Sequence, residues 1–377
     1  MKWVRVLSRK ITMQEIADRM GVSKYVVSKA LAGKSGVSSE TKQRVVQMAG
    51  QLGYLAQKKT TPSELDTNKK WRSEGADDGG STVLVLMPNI RFQTKESTYW
   101  GKILDGISKE LELRGADMLT LTLNAAEGLN SSLRPQGLAG VIGVGEISRP
   151  LLMEVIRLGL PLVLLDHDDP FISADQVFAN NRESAYRIVQ YLLGLEHRSV
   201  QFVGNTSFSK SFRERWHGFR EALEEADIAY QPNAFQKLLH LESLDPHLQE
   251  EQIHDALRPH LERSTLPSAL VCANDRIAQA TIAALRSLGV SVPEEVSVTG
   301  FDNIELDYPL LAELTTVNVT KELIGKRGVD VLFWRIENPE LPAETILLRG
   351  DIIVRNSTAT SRIHDLPPIV RTPSPAR

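Results

Sequence analysis

Lys24, Tyr25, Ser28 and Lys29 stand at spacings that place all four on one face of a helix. The chemistry of that set is contact with nucleic acid. Lysine ammonium groups neutralise phosphates and donate to guanine acceptors, and hydroxyls donate to phosphate oxygens and base edges. Val27, Ala30 and Leu31 make the opposite face apolar. The helix therefore has one side to pack and one to offer. Taken alone, it fits a plain helical hairpin as well as a reader of DNA.

The residues before it supply the scaffold. Thr12 is a good N-cap, and Glu15 three residues on completes a capping box. Met13, Ile16, Ala17 and Met20 form one apolar stripe of a first helix. Gly21 accepts the positive φ that ends it, and Ser23 caps the second helix. Two short helices joined by a tight turn are a helix-turn-helix, whose second helix enters the major groove. Residues 37–41 read as the start of a third helix, with Glu40 near its positive end. Its stripe is Val45, Met48, Ala49 and Leu52, ending at Gly53. Three helices within about 40 residues close one small core, which favours the DNA-binding reading.

Charge divides the chain in the same place. Residues 1–61 hold twelve Lys and Arg against three Asp and Glu; the remainder holds 32 against 44. A small basic head on a larger acidic body is the footprint of a nucleic-acid binder with a separate second function. Cys272 is the only cysteine, so no intrachain disulfide and no paired-cysteine metal or redox site is possible. It lies in the apolar run 269–273 and reads as a small core residue, as fits a reducing cytoplasm. Residues 1–10 lack an apolar secretory core, and no run approaches the roughly 18 apolar residues of a membrane span. The expectation is a cytoplasmic protein without a membrane partner.

The expected organisation is a helix-turn-helix domain over 1–57, a flexible linker over 58–80, an α/β body over 81–362 and a disordered, Pro-rich tail over 363–377. Trp71 is the one bulky apolar residue of that linker. In the body, short apolar runs at 83–87, 118–123, 138–144, 161–166, 200–204, 269–273 and 296–301 alternate with helical segments at 99–114, 182–194, 212–226 and 276–288. Such runs are buried parallel strands with crossover helices, and the length of the body calls for two similar lobes.

Two patterns invite catalytic readings. Gly140, Gly143 and Gly145 are spaced G-x-x-G-x-G, which is not the dinucleotide fingerprint, and a tight strand-to-helix turn accounts for them. His167, Asp168 and Asp169 lack a spaced second His and read as a polar loop, not a metal site. No nucleophile, base and orienter fall in a recognisable arrangement. Neither an enzyme, a metal nor a cofactor is expected.

The head resembles the DNA-binding domain of the LacI/GalR family of bacterial repressors. Residues 21–31 (GVSKYVVSKAL) and 36–54 (GVSSETKQRVVQMAGQLGY) carry the resemblance, which runs on through LEHRSVQFVGN (195–205), RWHGF (215–219), ANDRIA (273–278), VPEEVSVTGFDN (292–303) and LTTV (314–317). It implies an N-terminal all-α helix-turn-helix domain plus a two-lobed α/β body like that of periplasmic binding proteins, with three crossover strands. It further implies a homodimer on a palindromic double-stranded operator, controlled by a small, sugar-like effector bound between the lobes. Carried over, Lys24, Tyr25 and Lys29 read bases, while Thr12, Ser23 and Ser28 hold phosphates. Arg215, Asn274, Asp275 and Asp302 match the family's polar ligand contacts; Tyr99 and Trp100 stand nearest its stacking aromatics, to stack on a ligand or to anchor their helix.

Departures from the family pattern are Lys29 for Arg, Ala32 for Asn, Asn180-Asn181 for Asp-Asn, and a longer loop at 88–103. In many members a hinge helix follows the Gly-Tyr pair and wedges a Leu into the minor groove. Here Pro62 interrupts that stretch and no large apolar residue replaces the Leu, so binding without a wedge and with little bending is expected. The alternative, a solute-binding protein of a transport system, is opposed by the basic head and the lack of a secretory core.

Overall fold

Gly21 takes φ 67°, and the Val22 amide then bonds back to the Ala17 carbonyl at 3.1 Å. This closes helix α1 (Met13–Met20) and starts the turn into α2 (Lys24–Leu31). Ser23 Oγ accepts the Val26 amide at 3.4 Å, as a cap should. Ala17, Val27, Ala30 and Val45 are buried. Thr41, Arg44, Val45 and Met48 are helical, and the cap of that helix is Ser38, whose hydroxyl accepts the Thr41 amide at 3.2 Å. The computed structural model describes residues 13–31, single positions between 38 and 48, 82–87, 98–122, 137–229, 234–243, 245–305 and 313–361. Thr12, the 58–80 linker with Pro62, and the 363–377 tail lie outside them. The chain divides into two units, Met1–Ala76 and Asp77–Arg377.

In the second unit, the strands pair in parallel, as suits the buried central ones, except that β11 (Asp351–Ile353) runs antiparallel to β9 (Thr315–Asn318). The first lobe is a six-stranded sheet. Its strands are β1 (Thr82–Leu86), β2 (Asp117–Leu121), β3 (Leu138–Val144), β4 (Leu162–Leu165), β5 (Asp175–Ala179) and, from far along the chain, β10 (Thr345–Leu348), in the order β10-β5-β4-β3-β1-β2. Helices α3 (Thr98–Leu113) and α4 (Arg149–Arg157) make its crossovers. The second lobe orders β11 (Asp351–Ile353), β9 (Thr315–Asn318), β8 (Ser297–Asp302), β7 (Ala269–Cys272) and β6 (Val200–Val203). Its helices are α5 (Asn181–Gly194), α6 (Lys210–Glu225), α7 (Pro246–Glu262) and α8 (Asp275–Ser287). The chain passes between lobes three times: from β5 to α5, from β9 to α9 (Lys321–Glu337), and from β10 to β11. Three crossovers were expected; α4, α7, α9, β5, β9, β10 and β11 were not read from the sequence.

Each lobe contains a helix pair in backbone contact through glycine. A Cβ on Gly325 of α9 would lie 2.1 Å from the Ile103 carbonyl of α3, and one on Gly218 of α6 would lie 2.0 Å from the Arg182 carbonyl of α5. The 140–145 glycines need correcting on the same ground. Gly140 and Gly143 sit inside β3, where a Cβ would meet Leu332 at 2.7 Å and Ile147 at 2.5 Å. Only Gly145, at φ 71°, makes the turn. Among the described residues no helix is long and apolar enough to cross a membrane. Gly325→Ala should push α3 from α9 and cost about 1–3 kcal/mol in urea denaturation, the scale of overpacking. Gly194→Ala, with open space at its Cβ, should leave stability level or slightly raised.

Candidate functional site

On the first unit, Ser23, Lys24, Tyr25 and Ser28 are exposed and Lys29 is half-buried. Tyr25 is 71% exposed, too much for a tyrosine that serves only packing, and the Lys29 ammonium lies 5.6 Å from its ring centroid. Ser23 spends an oxygen lone pair on its cap and keeps its proton to donate. The structure thus gathers five of the six sequence-predicted contact residues on and beside α2, with Val27 and Ala30 turned inward.

On the second unit, the predicted polar residues converge where strands of the second lobe end, at the crossovers. Arg215 of α6 is 3% exposed and bonds three elements: Nε to Asn181 Oδ1 at 2.8 Å, Nη1 to the Ala273 carbonyl at 2.6 Å, and Nη2 to Asp302 Oδ1 at 3.0 Å. The Phe301 ring lies 3.8 Å from its guanidinium carbon. Asp302 ends β8 at φ 104° and Asn303 follows at φ 51°, conformations that L-residues rarely adopt and that collect at functional sites. Burial pushes the Asp302 carboxyl up, against the opposing pull of Arg215 and Lys321. The Lys321 ammonium, at the start of α9, donates to the Asp302 carbonyl and, at 3.3 Å, to that of Asn303.

Asp275 opens α8 and is 1% exposed. It accepts from Thr316 Oγ1 at 2.5 Å and from the Ile304 amide at 2.8 Å. Burial first, then the neighbouring Asp302, pushes its carboxyl up to about 7. Asn274 caps the same helix, its Oδ1 accepting the Ile277 amide at 2.9 Å. From the first lobe, Tyr99 of α3 is buried and donates to Asp166 at 3.4 Å. Trp100 meets the Tyr99 ring edge-on at 4.9 Å and packs on the core.

Sequence reasoning missed Asp166, Ser211 and Lys321. Asp166 follows β4 at φ 54° and accepts from Tyr99 and from the Ser211 hydroxyl of α6 across the lobes. Burial pushes its carboxyl up to about 6, outweighing its hydrogen bonds and Arg215. A signal existed: a carboxylate just past a buried parallel strand stands at the sheet edge where ligands bind. His167 and Asp168 lie in the loop that follows and Asp169 is held by Arg149 at 2.7 Å; among the described residues no group suited to a metal occurs. Cys272 is buried, with its thiol pushed up to about 12 by that burial. A groove of about 490 Å³ adjoins this cluster at Asn181, at the crossover edge between the start of α5 and β10, and Phe178 and Lys210 also line it.

The chemistry on offer is recognition by fixed donors and acceptors. The model described as bacterial regulatory proteins, lacI family, matches residues 12–57, and a periplasmic binding protein-like domain matches 189–358. The chain belongs to the lacI family of bacterial regulatory proteins. It is a DNA-binding transcriptional regulator, not an enzyme. Its relatives include the ribose operon repressor of Haemophilus influenzae, 25% identical over 92% of this chain and 98% of that one, and a probable transcriptional repressor, ExuR, of Bacillus subtilis, with the same identity and coverage. Among solved structures, a CelR–cellobiose complex matches with a TM-score of 0.62 at 21% identity, covering 92% of this chain and 99% of that one. A lac repressor dimer on its operator matches with 0.59 at 18%, covering 93% and 100%.

The raised Asp166 carboxyl has a stability signature in this regulator. Its folded value exceeds its unfolded one, so its contribution is present at acid pH and is lost as pH rises from about 4 through 6. Asp166→Asn should lose that component. Across pH 4–7 by thermal melting, the variant's stability relative to the parent should rise with pH.

Proposed function

We propose that this regulator is a repressor that binds a palindromic operator as a homodimer in the cytoplasm, reading bases with Lys24, Tyr25 and Lys29. Thr12, Ser23 and Ser28 hold phosphates, and a small polar effector held between the lobes controls operator affinity. The observation that carries the reading is the exposed α2 face joined, in one chain, to a buried polar cluster at a lobe junction. One head spans only a half-site, and a two-fold dimer supplies the other. For the effector, Asp302, Asp275, Arg215, Asn274 and Tyr99, with Asp166, offer the fixed charged hydrogen-bonders that hold neighbouring hydroxyls. A sugar-like molecule fits that set, as do the cellobiose and ribose named in the complexes of two structural neighbours.

The operator should emerge from selection of a random duplex library by the full chain. Lys24→Ala with Tyr25→Ala should abolish preference for the selected site while the body melts unchanged; preference that survives sinks the assignment. A circular-permutation gel shift on that site should show little bending, and a strong bend centred on the dyad would mean that a hinge helix forms despite Pro62.

For the effector, a thermal-shift screen of neutral sugars should find a ligand that raises the melting temperature of the parent. Asp302→Ala should weaken its binding, measured by calorimetry, by about 1–3 kcal/mol, the cost of a lost charged hydrogen bond.

A further inference from the structure

Lys210 is the first residue of α6, where the helix dipole disfavours a cation, and the first turn of that helix holds no acidic residue. Locally this is a poor place for lysine. Its compensation lies in the other lobe. The ammonium donates to Asp168 Oδ2, in the loop after β4, at 2.9 Å, and lies 4.6 Å from the ring centroid of Phe178 in β5. Both side chains of the ion pair are about 30% exposed (29% and 31%), so water screens them only in part. The neighbouring Ser211 donates to Asp166, so consecutive residues of α6 grip the loop after β4. A cross-lobe ion pair from α3, Lys102 with Glu305, is 3.9 Å long with its acid 85% exposed, and Lys102 is shared with Glu322 at the same distance. At that length and exposure it contributes little.

We propose that Lys210 is the closure-determining residue of the cleft: its grip on Asp168 and Phe178 sets the balance between open and closed arrangements of the two lobes. Opening leaves the cation at the positive end of its own helix with neither partner. The same helix carries Arg215, so a shift of α6 that breaks the clasp also moves the centre of the polar cluster. This rests on the two-lobe fold and holds whichever effector occupies the cleft.

The test is an interlobe distance distribution on the full chain by pulsed electron resonance. Spin labels go on Met153→Cys of α4 and Leu248→Cys of α7, both exposed. Native Cys272 is buried and stays unlabelled. With labelled chains diluted into an excess of unlabelled ones, so that a homodimer carries one labelled protomer, the parent should show one dominant short distance. Lys210→Met should raise the long-distance population about three- to tenfold, the combined scale of a partly exposed ion pair and a cation–π contact. Asp168→Asn, made from the other lobe in case the first variant folds poorly, should raise it by a smaller factor, because the contact with Phe178 remains, and about 1 M KCl should move the parent in the same direction. Exchanging the charges, Asp168→Lys with Lys210→Asp, should restore the short distance only in part, because it returns the ion pair but not the cation beside Phe178. Unchanged distributions in Lys210→Met and Asp168→Asn, with melting curves like the parent's, overturn the proposal.

Discussion

A buried guanidinium is the constraint around which the second unit is arranged. Arginine cannot shed its proton in a protein, so Arg215 must be supplied with acceptors wherever it is buried. The supply comes from Asn181 at one crossover, Ala273 at the end of one strand and Asp302 at the end of the next. Three separate stretches of chain are thereby held in register about one planar cation. Phe301 and Phe212 flank it. Withdrawal of Asp302 leaves an uncompensated charge in a dry place, and withdrawal of either neutral acceptor leaves a buried N–H unpaired. The same logic explains why Asp302 remains pushed upward despite its arginine: desolvation of a buried carboxyl exceeds what one partner returns.

Around this centre the fold concentrates positive helix ends. α5, α6, α8 and α9 all begin beside the cluster, at Asn181, Lys210, Asp275 and Lys321. Carboxylates at such ends are stabilised by exposed amides and by the dipole, which suits Asp275 and, across the lobes, Asp166. Lys321 needs the carbonyls of Asp302 and Asn303 instead. An array of fixed dipoles with alternating charges favours hydroxyl-bearing molecules, which both donate and accept. The head obeys different physics. Its α2 face is exposed and flexible in its lysines, suited to a polyanion whose grip weakens with salt.

How much of this was legible depended on whether a residue's local pattern agreed with its tertiary role. α1 and α2 were readable because turn, cap and stripe point the same way. Strands β1 and β3 were readable as apolar runs, and β8 from Val296, Val298 and Phe301, which stand between small or polar residues. α9 was not: Gly325 and Gly328 look like helix breakers, yet there they admit Ile103 and Leu165 at close range. β5 hid because Asp175 begins it, and the bidentate grip of Arg335, at 2.7 and 2.8 Å and 160 residues away, with the Glu344 amide at 2.8 Å, makes that carboxylate fit the interior. Arg215 and Asp302 were reachable through resemblance; their mutual bond was not. Asp166 was overlooked because it merely ended a run.

The order in which the strands are assembled differs from the order in which they are made. The first lobe opens the second unit at β1, yet its edge strand β10 and the helix that fills Gly106 of α3 come from residues 321–348. A chain emerging from the ribosome can therefore pair β1 to β5 early but has nothing to lay on the α3 face or against β5. The second lobe, lacking β11 and the 355–361 segment that bonds Val298, Thr315 and His197, has its helices and four strands complete once β9 is out. Synthesis then delivers a nearly complete second lobe to a less complete first one, and the last residues of the body close both sheets almost together. During that interval an apolar helix face and an unpaired strand edge are exposed to other nascent chains, a window whose length is set by the translation of the roughly 140 residues that separate β5 from α9.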